Sequence, residues 1–202
     1  MKLAVLMGSP RKEGNTWAVL KPMIEEWEKA GHYTKVFWLY DMEIHGCVAC
    51  RTCQKDWTIF GCKYQDDMQA VFDEVLTSDV ILLASPVYCW YCTAPMKAAL
   101  DRLMYGMNKY YGDEKGPSLW AGKHVAIVTT CGYKPEKGAD LFEDGIKRYC
   151  KHSSLIYDGM FAARDLGYKA VFIDEEKEQS ARAFACDLME KICRVKENSD
   201  CN

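Results

Sequence analysis

Two stretches of this chain carry residues whose types and spacing suit chemistry. The first is Met7–Thr16, Met-Gly-Ser-Pro-Arg-Lys-Glu-Gly-Asn-Thr. It follows a short apolar run, Leu3–Leu6, and precedes an amphipathic segment that begins near Trp17. Strand, polar loop and helix in that order aim backbone N–H groups and a helix dipole at an anion. Ser9, Asn15 and Thr16 add side-chain donors, Arg11 adds a fixed positive charge, and Gly8 and Gly14 allow tight turns. A phosphate dianion fits such a loop; a plain polar connection is the other reading of the same residues. The pattern is neither G-x-x-x-x-G-K-S/T nor G-x-G-x-x-G, which argues against a P-loop NTPase and an ordinary dinucleotide Rossmann site.

The second stretch is Cys47-x-x-Cys50-x-x-Cys53, followed by Cys62. Thiolates ligate iron–sulfur clusters, and two-residue gaps let successive sulfurs wrap one cluster. A Cys₄ zinc site uses the same residue types, and unliganded thiols are a third reading. The chain holds eleven cysteines in 202 residues and enters a strand pattern directly after Lys2, without a signal-peptide pattern. Reduced thiols, a metal site or redox chemistry are therefore expected in preference to a disulfide scaffold, with a cytoplasmic location as the default. Cys150, Cys186, Cys193 and Cys201 fall on helical or tail positions, and Cys186 and Cys193 are expected to be small core residues on one helix face.

A net charge of −3 gives no electrostatic case for nucleic acid or an anionic membrane surface, and no apolar run is long enough to span a bilayer. The four histidines, His32, His45, His124 and His152, are scattered and read as structural or surface residues.

The elements that must position these stretches alternate in type. Strands are expected at Leu3–Met7, Thr34–Leu39, Val80–Ala84, His124–Thr129 and Leu155–Phe161. Helices are expected at Thr16–Ala30, Asp66–Leu76, Ala94–Leu103, Ala139–Tyr149 and Lys177–Val195, with Gly31 stopping the first and Pro95 in the first turn of the third. Ile44–Gln65 is a cysteine-rich loop, and Tyr105–Trp120 is a long aromatic one. With no internal repeat or linker, the 202 residues are expected to form one α/β domain: a parallel five-stranded sheet, doubly wound in three layers. In such sheets ligands bind beyond the carboxyl ends of the strands. In strand order 2-1-3-4-5, three loops would converge there: Gly8–Thr16, Ser85–Cys92 and Thr130–Tyr133.

The second of these reads Ser85-Pro86-Val87-Tyr88-Cys89-Trp90-Tyr91-Cys92. Pro86 stiffens it, and Tyr88, Trp90 and Tyr91 offer flat apolar faces beside backbone donors, which suits a planar heterocycle. Packing of these aromatics under the Tyr105–Trp120 loop is the competing reading. The third, Thr130-Cys131-Gly132-Tyr133, offers small polar groups and close backbone approach.

Taken together, Gly8-Ser9-Pro10-Arg11 with Gly14-Asn15-Thr16, the Ser85-Pro86-Val87-Tyr88 turn and the Ala98-Ala99-Leu100-Asp101-Arg102 helix resemble the NAD(P)H-dependent FMN reductase family, with its flavodoxin-like fold. The resemblance implies FMN, with its phosphate on Ser9, Arg11, Gly14, Asn15 and Thr16. It places the ribityl chain and ring against Pro86, Val87, Tyr88 and Trp90, with Thr130, Cys131 and Gly132 at the ring. It implies electrons from NAD(P)H passing through FMN to a quinone, a free flavin or another small-molecule or protein acceptor. The flavin would carry the chemistry, with no protein acid or base. Cys89 and Cys92 depart from the pattern and carry no assigned role.

The cysteine spacing further resembles the iron–sulfur flavoprotein branch of that family. That likeness implies a [4Fe–4S] cluster on Cys47, Cys50, Cys53 and Cys62 and the alternative role of electron carrier. The last gap, Gln54–Gly61, is eight residues, longer than that motif leads one to expect. A homodimer or homotetramer is expected, with Trp57–Phe60 and Tyr105–Tyr111 covering the ring from a neighbouring subunit.

Overall fold

Along β1 (Lys2–Met7) the side chains of Leu3, Val5 and Met7 pack on one face and those of Ala4 and Leu6 on the other. Period-two geometry requires this separation, and because both sets are apolar the strand must be covered on both sides. The computed structural model, which describes residues 1–167 and 169–200, shows how. After β1 come α1 (Asn15–Lys29), β2 (Tyr33–Trp38), α2 (Met68–Thr77), β3 (Val80–Pro86) and α3 (Ala94–Met107). Then follow β4 (His124–Cys131), the short α4 (Pro135–Gly138), α5 (Asp140–Ser153), β5 (Ile156–Arg164) and α6 (Glu175–Asp200). Cys201 lies outside the described residues.

All five strands are parallel, in the order β2-β1-β3-β4-β5. On one face Val19, Leu20, Met23 and Trp27 of α1 meet Ala181, Ala185, Leu188 and Ile192 of α6 over Leu3, Val5 and Met7. On the other, α2, α3 and α5 bury Val71, Phe72, Leu100, Leu103 and Phe142 against Ala4, Leu6 and Leu83. Each large apolar side chain so buried contributes about 1.5–3 kcal/mol. This is the three-layer doubly wound, flavodoxin-like arrangement read from the sequence. Gly31 ends α1 with φ +78°, and its N–H donates to Glu28 O at 2.9 Å. No helix among the described residues is long and apolar enough to cross a membrane.

Strands β3 and β4 run further than expected, to Pro86 and Cys131, and pair Pro86 with Thr130. Proline is tolerated there because alternate residues of β3 bond opposite neighbours. Ala84 O accepts from Gly8 N at 2.7 Å, whereas Val87 N donates to Thr130 O at 2.8 Å. The N–H that Pro86 lacks would face the side where β1 has already ended.

Two other expectations change. Cys186 and Cys193 are exposed, because the buried stripe of α6 runs through Ala181, Ala185, Leu188 and Ile192 instead. Phe60 is 2% exposed and stacks on Phe72 with centroids 4.7 Å apart, so it belongs to this chain's own core and not to a subunit interface. The Tyr105–Trp120 segment also folds on its own chain. Its hub is buried Asn108, whose Nδ2 donates to Ser153 Oγ (2.8 Å) and whose Oδ1 accepts from Ser118 Oγ and Trp120 Nε1 (each 2.9 Å).

Candidate functional site: a phosphate loop, an aromatic wall and a thiol-lined cavity

The loop between β1 and α1 is pinned from behind. Lys12 pairs with Asp41 and lies 3.9 Å above the Trp38 ring, and Trp17 packs on Trp38 with centroids 5.2 Å apart. Within the loop, buried Ser9 accepts a hydrogen bond at Oγ from Arg11 N at 3.2 Å. Gly14 is the N-cap of α1 with φ −86°, so no left-handed conformation demands glycine. Space does: a Cβ there would stand 2.9 Å from Arg11 Cβ. No side chain caps α1, and among the described residues the Asn15 and Thr16 amides have no acceptor. Free N–H groups at a helix start, with Arg11 exposed beside them, make a site for an anion.

The loops after β3 and β4 are stitched to this one. Thr93 Oγ1 donates to Gly8 O at 2.7 Å, and Thr16 Oγ1 and Thr130 Oγ1 lie 2.9 Å apart. A Cβ on Gly8 would come within 2.8 Å of Thr93 Oγ1, so the first two loops touch only because residue 8 has no side chain. Tyr88 and Tyr91 exchange backbone hydrogen bonds of 2.8 and 3.0 Å around Cys89 and Trp90. Both turn residues have positive φ, 50° and 60°, a conformation that costs non-glycine residues about 1–2 kcal/mol each. The turn presents Trp90, 49% exposed, in near-parallel stacking with Tyr133 at 6.0 Å.

These loops line two hollows. Arg11, Asn15 and Tyr88 share one with Asp165, Gly167 and Phe172. Val87, Cys89, Trp90, Cys131, Gly132 and Tyr133 line the other. Tyr91 does not join the wall, because it packs edge-on to Phe142 with centroids 5.3 Å apart. Cys92 is also in the core, where burial raises its thiol pKa to about 12. The segment after β5 that supplies Asp165 and Phe172 was not read from the sequence. Its one signal is position, since it leaves the same sheet edge as the other loops. It is fastened there by Asp165 N to Cys131 O, 2.8 Å, and Arg164 Nε to Gly132 O, 3.1 Å.

The four cysteines Cys47, Cys50, Cys53 and Cys62 line a single cavity with Arg102 and Tyr64. Positive φ at Ala49, Arg51 and Gly61 curls the loop around it. The rest of the hold comes from α3 and the residues just beyond it. Gln54 Nε2 donates to Tyr105 O at 2.6 Å, and its Oε1 accepts from Tyr111 N at 3.0 Å. Lys109, fully buried, donates to Cys53 O and Ile59 O, each at 2.7 Å. Arg102 forms a two-pronged pair with Asp66 at 2.9 and 3.0 Å and donates to His45 O at 2.9 Å. Burial alone would raise the Asp66 pKa, but Arg102 and the His45 amide hold it well below the usual carboxylate range. Burial raises the Cys53 thiol pKa, whereas the Thr52 hydroxyl lowers that of Cys50.

The family profile described as NADPH-dependent FMN reductase matches residues 1–140. The chain belongs to that family. Membership makes it an FMN-using, NAD(P)H-dependent oxidoreductase. An iron–sulfur flavoprotein of Archaeoglobus fulgidus is 34% identical over 204 residues, covering 94% of each chain. A second iron–sulfur flavoprotein from the same organism is 36% identical over 151 residues, covering 74% of this chain and 64% of its own length. Among solved structures, an NAD(P)H:quinone oxidoreductase from Methanothermobacter marburgensis shares the fold with TM-score 0.73 at 16% identity, covering 93% of this chain and 96% of that one.

For a member of the FMN reductase family, the residues present suit the cofactor. The uncapped start of α1 and Arg11 match a phosphate, and the exposed aromatic turn matches a flat ring. The thiol cavity suits a cluster as well. Among the described residues no three of its candidate ligands stand close enough to share one ion. Thiolates of this kind are the ligands that iron–sulfur clusters use.

Proposed function

We propose that the protein takes electrons from NAD(P)H at bound FMN and passes them to a small acceptor such as a quinone or free flavin. The observation that carries this reading is the stitching of three loops at one sheet edge through Thr16–Thr130 and Thr93–Gly8. In it Ser9, Arg11, Gly14, Asn15 and Thr16 form the phosphate cradle. Ser9 and Thr16 do so largely through backbone, since their hydroxyls already bond within the protein. Pro86, Val87, Tyr88 and Trp90 flank the ribityl chain and ring, and Thr130, Cys131 and Gly132 approach the ring edge. When bound, FMN supplies acceptance of two electrons and their release singly or in pairs. The residues orient it, exclude water from one face and offer the Trp90–Tyr133 pair to an incoming flat molecule.

The test is the absorption spectrum of protein purified without air, followed by addition of NAD(P)H. Flavin bands that bleach on addition support the reading. Protein without flavin bands that also takes up no added FMN overturns it.

A second reading, an electron carrier with a [4Fe–4S] cluster on Cys47, Cys50, Cys53 and Cys62, is favoured by the single cavity those thiols share. A cluster there would supply one-electron steps. Its test is iron and acid-labile sulfide analysis: stoichiometric values support it, and their absence leaves the reductase alone. The proposal extends to a homodimer or homotetramer, which light scattering checks; the mass of one chain would count against it.

A further inference from the structure

Charge does not balance around the thiol cavity. Arg102 and Lys109 are 2% and 0% exposed, so two cations are buried beside it. Against them stands one buried carboxylate, Asp66, with its side chain 2% exposed, and it is committed to Arg102; the surface carboxylate Asp56 attracts Lys109 only from beyond ion-pair distance. Among the described residues Lys109 has only backbone carbonyls as recorded bonding partners, and no carboxylate lies within ion-pair distance. A cation out of water with only a distant surface carboxylate to balance it is costly to hold, so the arrangement favours a further anion. The cavity walls offer one source, the thiolates.

Arg102 is the better placed of the two cations to interact with what fills the cavity. It lines the cavity, and its guanidinium lies 5.4 Å from the Phe60 ring centre and 5.3 Å from that of Tyr64. Both rings line the same cavity. Its two terminal nitrogens are occupied by Asp66 and His45 O. Its Nε–H is buried with no partner among the described residues. An unmet donor on a buried guanidinium is expensive to leave and is a feature in search of an acceptor.

We propose that Arg102 is the residue that sets the reduction potential of the cluster held by Cys47, Cys50, Cys53 and Cys62, its Nε–H and charge favouring the reduced state. The inference rests on the cluster reading given above. A thiolate-ligated cluster is negatively charged and becomes more so by one electron on reduction. A fixed cation and a hydrogen bond to sulfur therefore raise its potential. Reduction in the test below takes one electron from the chemical titrant and makes or breaks no bond.

Two variants separate this role from support of the loop. Arg102→Lys keeps a cation for Asp66 and removes the Nε–H donor. The paired change Asp66→Asn with Arg102→Met removes both buried charges at similar volume. Iron and sulfide are measured first in the unaltered protein, and their absence sinks the cluster reading itself, before any variant matters. With the cluster present, anaerobic redox titration followed by electron paramagnetic resonance reads its midpoint, and flavin absorbance reads that of FMN.

The expected result for Arg102→Lys is a tenfold weaker one-electron reduction of the cluster, about 59 mV more negative, with the flavin midpoint unmoved. The paired variant should move in the same direction. An unchanged cluster midpoint in variants that retain iron overturns the proposal. So does loss of iron from both variants in otherwise folded, flavin-binding protein, because Arg102 would then be needed for assembly of the site and not for its potential.

Discussion

The hydroxyls of Thr16 and Thr130, 114 positions apart, meet at 2.9 Å in the protein interior and join the first turn of α1 to the carboxyl end of β4. Both residues were expected at the cofactor; their side chains bond to each other and hold two of the sheet-edge loops together. Thr16→Val leaves the Thr130 hydroxyl without that partner and should cost about 1–3 kcal/mol. Replacing both by Val should recover much of that loss. Urea unfolding of the two singles and the double checks it, and equal, additive losses would show that the hydroxyls do not interact.

In the proposed phosphate cradle Arg11 supplies the fixed charge. Arg11→Ala should weaken FMN binding by about 1.5–3 kcal/mol, roughly 10- to 100-fold, with little change in stability because the side chain is exposed. Quenching of free flavin fluorescence measures it. An unaltered dissociation constant would remove Arg11 from the site.

Gly106 lies within α3, where alanine ordinarily stabilises a helix by up to about 1 kcal/mol. Here a Cβ would stand 2.4 Å from two ring carbons of Phe60, which is itself locked against Phe72. The clash should win, so Gly106→Ala should lower the melting temperature and loosen the cysteine loop. Adding Phe60→Leu should relieve part of the loss. A Gly106→Ala protein as stable as the parent would show that Phe60 yields easily.

Asp66 gives the acid limb of stability a specific source. Its folded pKa lies below the ordinary carboxylate value, so the Arg102 pair stabilises the protein at pH above the unfolded value near 4. That contribution is lost as pH falls from there toward the lower folded pKa. Asp66→Asn should reduce stability at pH 7 and flatten its dependence below pH 4. Parallel acid-limb profiles for parent and variant would contradict the assignment.

The thiols should divide by burial. Burial holds Cys92 and Cys150 near pKa 12, whereas Cys50, Cys89, Cys186 and Cys193 are exposed. Brief alkylation of the native apoprotein at pH 8, read by peptide mass spectrometry, should modify the second group and spare the first. Labelling of Cys150 at the rate of Cys186 would show that α5 opens readily.

What the sequence revealed and what it concealed divide along physical lines. The sheet was legible because runs such as Val80–Ala84 must be covered on both faces, and the helices because their apolar residues recur at helical spacing. The positions of the Gly8–Thr16 loop and the Trp90 turn were legible because each follows the carboxyl end of a strand. The burial of Arg102 and Lys109 was not, since a buried cation leaves no periodic trace and reads like any surface charge. Phe60 was misplaced for a related reason: its partner Phe72 is distant in sequence, and only Gly106 makes room for its ring. Cys186 and Cys193 were assigned to the wrong face of α6 because small residues, the alanines, carry the true contact stripe.

The anchors of the cysteine loop, Arg102, Gly106 and Lys109, come from α3 and the residue pair after it, Asp66 from just before α2 and Phe72 from its first turns. None of them belongs to the stitched loops at the sheet edge. The loop is therefore mechanically separate from the sheet edge: substitutions at its anchors should loosen it while the Thr16–Thr130 and Thr93–Gly8 bonds stay closed.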